Sequence, residues 1–210
     1  MAANKKFDTI LRLLKKEYPR AKIALNFNNS WELLVATVLS AQCTDRQVNI
    51  VTERLFKKYK KVQDYAKANL KTFEQDIRST GFYRNKAKNI TAAAKKILKD
   101  FNGKVPDSMD SLIQLPGVAR KTANIILFNA FGKAEGIAVD THVGRLSQRL
   151  GFSKNNNPEK VEQDLIKLVA KKNWGKFSYF LIEHGRKICL AKKPKCSDCL
   201  LAKVCPSRRL

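Results

Sequence analysis

The chain has 210 residues, 44% of them hydrophobic, with 42 Lys and Arg against 18 Asp and Glu, a formal net charge of +24. That length can bury a sizeable core as one large domain or two small ones, and no run approaches the ~20 apolar residues that a membrane span needs. So large an excess of cations repels itself, and a polyanionic partner, nucleic acid first, is the usual compensation. An acidic membrane surface fits less well, because the basic residues are spread along the chain. The start, "MAANKKFDTI", has lysines but no apolar stretch behind them, so no signal peptide is read. The expectation is an intracellular protein of the cytoplasm or nucleoid, and a monomer.

In chain order, Phe7, Ile10, Leu11 and Leu14 follow the spacing of an amphipathic helix, which Pro19 closes. Ser30 reads as the N-cap of a helix over "WELLVATVLSAQ", with Leu34, Val35, Val38 and Leu39 on one face. Cys43 stands apart from the other cysteines, and core packing is its plainest role. Val48, Val51, Leu55 and Tyr59 repeat the helical pattern, as do Ala87, Ile90, Ala94, Ile97 and Phe101. Gly81 and "NGKVP" mark loops. Asn157 before Pro158 opens a helix burying Val161, Leu165 and Leu168, and Phe177, Phe180, Leu181 and His184 share a further face. No run alternates apolar with polar, so the fold class is all-α, with roughly nine or ten helices and short turns.

"LPGVARKTA", residues 115–123, contains an odd junction. A Pro116–Gly117 turn runs straight into Arg120 and Lys121, and the helix-like "ANIILFNAF" follows. Cations are poorly placed at a helix start, where the macrodipole is already positive. Either the misplacement is tolerated, or an anion sits there and the lysine has a task.

Four of the five cysteines close the chain: Cys189, Cys196, Cys199 and Cys205, spaced C-x6-C-x2-C-x5-C. Disulfides are unlikely company for an intracellular protein of this size, and so dense a set of thiols points to a metal centre. A single zinc normally uses two chelating pairs set apart by a longer finger, whereas four close thiolates suit an iron–sulfur cluster; zinc and unligated thiols stay as alternatives. "PKCSDC" faintly resembles half of a nucleobase-deaminase site, but neither His142 nor His184 sits in the H-x-E that such a site needs.

With "LSAQCTD", "LPGVARKTANIIL", "VDTHVGRLSQRLG" and the cysteine loop in this order, the chain resembles the endonuclease III family of DNA glycosylases over nearly its whole length. The resemblance implies a two-lobed helix-hairpin-helix fold. A six-helix barrel would occupy residues 22–134, with the hairpin at about residues 108–131, and residues 1–21 plus 135–210 would form a lobe carrying a [4Fe-4S] cluster on the four cysteines. Backbone N–H groups around Gly117 and Ala119, beside Arg120, would grip a DNA phosphate. Family hairpins carry a second glycine where this chain has Ala119, a place where positive φ would disfavour alanine.

The same resemblance implies a bifunctional glycosylase and abasic-site lyase acting on oxidised pyrimidines in double-stranded DNA. Lys121 would be the nucleophile, its neutral form favoured by the helix start, by Arg120 and by partial burial. From local sequence alone, a solvated lysine touching phosphate is the plainer reading. Asp140 would support charge at the sugar, although aspartate there is also a good N-cap. Gln42 would fill the gap left by an extruded base, with Phe82 as a second wedge or else a core residue, and Asp45 would touch the extruded base. Lys192, Lys193 and Lys195 would make the metal loop a basic knuckle, or simply a solvated surface. Two other functions stay open: a monofunctional mismatch glycosylase, which would lack the lysine and add a C-terminal recognition domain, and a non-catalytic DNA-binding module with a structural metal loop.

Overall fold

The structure, a computed structural model, describes residues 2–208, with side chains from residue 5 onward. The described residues form helices α1 (Ala2–Glu17), α2 (Ser30–Leu39), α3 (Asp45–Lys58), α4 (Val62–Lys67), α5 (Leu70–Asp76) and α6 (Tyr83–Asp100). They continue with α7 (Met109–Leu112), α8 (Arg120–Phe131), α9 (Thr141–Arg149), α10 (Pro158–Leu168) and α11 (Trp174–Lys187), with 3-10 turns at Arg78–Thr80 and Lys171–Asn173. No strand is present among the described residues, as expected of an all-α chain. There are more helices than expected because α4, α5 and α7 are too short to display a hydrophobic period. No helix there is long and apolar enough to cross a membrane.

Two compact units divide the chain: Ala24–Lys133, and Met1–Ile23 together with Ala134–Leu210. In the first unit α2 packs against α3, α6 and α8. Trp31 and every residue from Leu33 to Leu39 are buried, so α2 is apolar all round and not on the single face that the sequence pattern suggested. Its N-cap is Asn29, not Ser30. Asn29 Oδ1 accepts from Glu32 N at 2.9 Å, while Glu32 Oε2 accepts from Asn28 N at 2.7 Å. α2 also ends earlier than expected, at Leu39, with Ser40 as its C-cap. Cys43 is only half-buried in the turn beyond, so it is not a core residue. Along α6, Lys86, Ala87, Ile90, Ala93, Ala94 and Ile97 are buried, whereas Phe101 is a half-buried C-cap. An aromatic cluster fills the other side of this unit, with Tyr65 5.1 Å from Trp31 and 5.7 Å from Phe73 between ring centres.

The second unit joins α1 to α9, α10 and α11. Phe7, Ile10, Leu11 and Leu14 of α1 meet Val143 and Leu146 of α9, Val161 and Leu165 of α10, and Phe177, Phe180 and Leu181 of α11. Leu201, within the cysteine loop, is fully buried in the same core. α1 stops at Glu17, two residues before Pro19, as the ring of a proline requires. Asn157 caps α10 by accepting from Glu159 N and Lys160 N, with Pro158 at the first helical position. Leu168, expected inside, is half-buried, and Val169 takes the buried place.

Phe177 is fully buried and touches Phe7 and Phe152, at 5.8 and 6.2 Å between ring centres. Phe177→Ala is expected to destabilise this unit by about 3–5 kcal/mol, read as a lowered urea midpoint in equilibrium unfolding.

Candidate functional site

The hairpin between α7 and α8 is built from two buried anchors, Leu115 and Val118, on either side of Pro116–Gly117. Val118 N donates to Leu115 O at 3.1 Å, closing the turn. Gly117 has φ +79°, and a Cβ there would stand 2.9 Å from Asn89 Cβ on α6. Both the backbone conformation and the close approach therefore require glycine. Ala119 differs: it is the N-cap of α8 at φ −88°, ψ 170°. That is extended backbone open to any residue, so the glycine expected there is unnecessary.

The N-cap residue, Ala119, gives the first turn of α8 no side-chain hydrogen bond, and Ala119, Arg120 and Lys121 at its start are exposed. An exposed helix start is a natural anion site. The partial burial expected of Lys121 is not found, because the helix presents residue 121 to solvent and turns Thr122, Ala123 and Asn124 inward.

A cleft of about 270 Å³ opens in front of this helix start, lined by Gln42, Phe82, Asn85, Asn89, Gly117 and Lys121 among others. Four sequence-designated residues from three separate segments thus meet at one place. Asp45, half-buried at the first position of α3, does not line the cleft. Gln42 and Phe82 occupy the same unusual backbone, with φ +52° and +48°. Phe82 is 67% exposed, which removes the core reading.

Beneath the cleft lies a residue that the sequence reading passed over. Lys86 is only 4% exposed, and its Nζ donates to Leu39 O and Thr80 O, each at 2.8 Å. Burial pulls this lysine below its ordinary range. The clue was available: Lys86, Ile90, Ala93 and Ile97 form a stripe at helical spacing, and a lysine on such a stripe needs a buried partner.

In the other unit, Asp140 caps α9, its Oδ1 accepting from Val143 N at 2.8 Å. α9 then carries His142, Arg145 and Arg149 along a polar stripe toward the cysteine loop. Arg145 Nη2 donates to Gly185 O and Cys189 O at 3.1 and 3.0 Å, and lies 3.2 Å from His142 Nδ1. Burial holds His142 below the usual histidine range. Gly185 of α11 allows the contact, since a Cβ would fall 2.8 Å from His142 Nδ1. Arg149 donates to Cys189 Sγ at 3.2 Å and to the carbonyls of Leu190 and Ala191, both at 2.7 Å.

Cys189, Cys196, Cys199 and Cys205 all line one cavity of about 130 Å³. Among the described residues no three His, Cys, Asp or Glu groups stand placed to hold a single metal ion. Burial raises the Cys199 and Cys205 thiols, and their cysteine neighbours raise them further. Cys199 Sγ is 3.4 Å from His184 Nε2, and His184 Nδ1 is 3.0 Å from Tyr18 Oη. Burial lowers His184 to about 4 and raises Tyr18 to about 12. A neutral imidazole thus bridges the phenol and the sulfur, one ring nitrogen donating and the other accepting. Lys192, Lys193 and Lys195 are exposed on the loop.

A family model described as HhH-GPD superfamily base excision DNA repair protein matches residues 35–171. Endonuclease III of Synechocystis sp. is 51% identical over 208 residues, covering 99% of this chain and 95% of the relative. The chain belongs to the endonuclease III family. Two solved endonuclease III structures agree with this membership. One is a non-covalent endonuclease III–DNA complex and the other a trapped endonuclease III–DNA covalent intermediate. Each has a TM-score of 0.93 and 44% identity and covers 97% of this chain, with 95% and 96% of the respective chains covered in turn. The endonuclease III fold therefore extends over both units, including the cysteine loop that lies beyond the residues matched by the family model.

Gly117 and Gly132 allow the hairpin to be tested directly. Both have positive φ, but only at Gly117 would a Cβ meet another residue within 4 Å. Gly117→Ala should cost more stability than Gly132→Ala, where the backbone penalty alone is about 1–2 kcal/mol. Equal losses in denaturant unfolding would mean that the Asn89 contact yields freely.

Proposed function

We propose that this chain is a bifunctional DNA glycosylase and abasic-site lyase of base excision repair, acting on oxidised pyrimidines in double-stranded DNA. The observation that carries this reading is the cleft of Gln42, Phe82, Gly117 and Lys121. It offers an amine, an anion-binding helix start and two projecting side chains within one concave surface. The trapped covalent DNA intermediate of a relative 44% identical supports a nucleophile that bonds to DNA.

The α8 start and the hairpin amides hold a phosphate, and Arg120 adds positive charge beside it. The damaged nucleotide swings out of the stack, since C1′ cannot be reached within the duplex. Gln42 enters the vacated space, where its amide can hydrogen-bond the orphaned base, and Phe82 wedges beside it. The lone pair of Lys121 Nζ bonds to C1′ as the bond from C1′ to the base breaks. The electron pair departs with the base, which takes up a proton. Asp140 supports the positive charge that develops at the sugar. Opening of the sugar ring leaves an imine between Nζ and C1′, which acidifies the proton on C2′. Loss of that proton expels the 3′ phosphate from C3′ and cuts the strand. Hydrolysis of the imine then returns the amine. Lys121 is exposed at the helix start, so its amine is open to a docked sugar.

Cys189, Cys196, Cys199 and Cys205 would hold a [4Fe-4S] cluster. Four thiols around a cavity of about 130 Å³ suit a body larger than one tetrahedral ion. The N–H of Arg149 on Cys189 Sγ is the hydrogen bond expected around a thiolate ligand, and His184 Nε2 lies 3.4 Å from Cys199 Sγ. When bound, such a cluster supplies a covalent staple that makes the basic loop rigid. The monofunctional alternative is disfavoured by an accessible lysine at the hairpin, and the non-catalytic one by its place in the cleft.

Borohydride reduction with abasic duplex DNA is the test of the lyase. Wild type should form a covalent protein–DNA adduct, and Lys121→Gln should not while binding DNA normally. Absence of the adduct from wild type that binds the duplex would overturn the assignment. For the metal loop, purified protein should be yellow-brown with iron and sulfide in near-equal amounts, and colourless protein with a single zinc would refute the cluster.

A further inference from the structure

Gln42 and Phe82 project from two turns that are far apart in sequence, yet both residues lie in the left-handed region at nearly the same φ. A non-glycine residue there is uncommon, and it persists only when its surroundings over-determine it. Each turn follows a helical segment whose final carbonyl lacks a partner along its own helix. Leu39 is the last residue of α2, and Thr80 is the last of the 3-10 turn. Both carbonyls receive the same ammonium, that of Lys86, at 2.8 Å. The cation also sits at the negative end of the α2 macrodipole. Lys86 belongs to the first turns of α6, and its own N–H donates to Phe82 O at 3.1 Å. One buried residue thus touches the stem of the Gln42 turn, the stem of the Phe82 turn and the helix that Phe82 opens.

We propose that Lys86 is a positioning residue that clamps the Gln42 and Phe82 turns at a fixed separation, so that both wedges enter the duplex together. The inference rests on the glycosylase reading for what the wedges do, and on the geometry alone for the clamp. An apolar residue of similar length would fill the same space but leave both carbonyls buried and unpaired, and each turn would be free to relax independently. The consequence falls on extrusion, because only a paired, stacked lesion needs its place filled. An abasic site in a single strand has no stacked base to expel and no partner base to separate.

Lys86→Met separates these cases. Single-turnover excision of an oxidised pyrimidine from a duplex should fall by about ten- to a hundredfold, as expected when reacting groups are misplaced by an ångström or so. Cleavage of a single-stranded oligonucleotide carrying an abasic site should stay within about twofold of wild type. Hydrogen exchange should quicken at amides 40–43 and 81–84 and nowhere else in the unit. Equal losses on both substrates in a folded variant would mark Lys86 as a general staple and overturn the proposal, as would unchanged exchange at either turn. Wild type inactive on both substrates would overturn the glycosylase reading instead, and the exchange comparison would still decide the clamp. Should Lys86→Met fail to fold, NMR of the wild-type ammonium decides: slow exchange with water supports the clamp, and exchange as fast as that of exposed lysines overturns it.

Discussion

The seating of Gly117 against Asn89 is the constraint on which the candidate site depends. Positive φ and a gap too small for a methyl group bring the chain out of the hairpin tightly enough that α8 begins beside α6. The first turn of α8 receives no side-chain hydrogen bond from its N-cap residue, and residue 121 faces outward. A lysine that would be poorly placed on an isolated helix thereby shares one cleft with Gln42 and Phe82. The positive end of a helix, with its first N–H groups unpaired along the helix, is suited to an anion.

A comparable economy governs α9. Asp140 sits at its N-cap, and Arg149 at its far end holds both the sulfur of Cys189 and the carbonyls of the loop. Arg145, between them, ties the same helix to α11 through Gly185. The carboxylate is therefore fixed by a helix whose other end is fastened to the cysteine loop. The nine residues of α9 thus connect the Asp140 cap to the cysteine region.

Cations turned onto backbone acceptors recur in both units, buried at Lys86 and half-buried at Arg145 and Arg149, and for the same reason. Lys86 satisfies carbonyls at the ends of two helical segments, and Arg145 and Arg149 satisfy carbonyls and sulfur in the cysteine loop. Not all of the large positive charge is directed at DNA. Part of it is used inside, where helix ends and irregular backbone would otherwise bury unpaired acceptors.

Much of this was legible in the chain itself. The spacing of Phe7, Ile10, Leu11 and Leu14, the cap at Asn157–Pro158, the N-cap at Asp140 and the glycine turn at 117 are local properties, dictated by periodicity and by backbone preferences that act over a few residues. The density of thiols in the last seventeen residues before Pro206 marks that loop as a unit, and the structure lines one cavity with all four. The sequence by itself did not settle which faces are buried: α2 proved to be enclosed on every side, and Phe82 and Lys121 to be exposed. It was also silent on Lys86, whose carbonyl partner Leu39 is 47 positions away, and on Tyr18, which reaches His184 across 166. Those pairings belong to the tertiary structure, because burial and long-range hydrogen bonds depend on which segments meet, and no local rule of spacing carries that information.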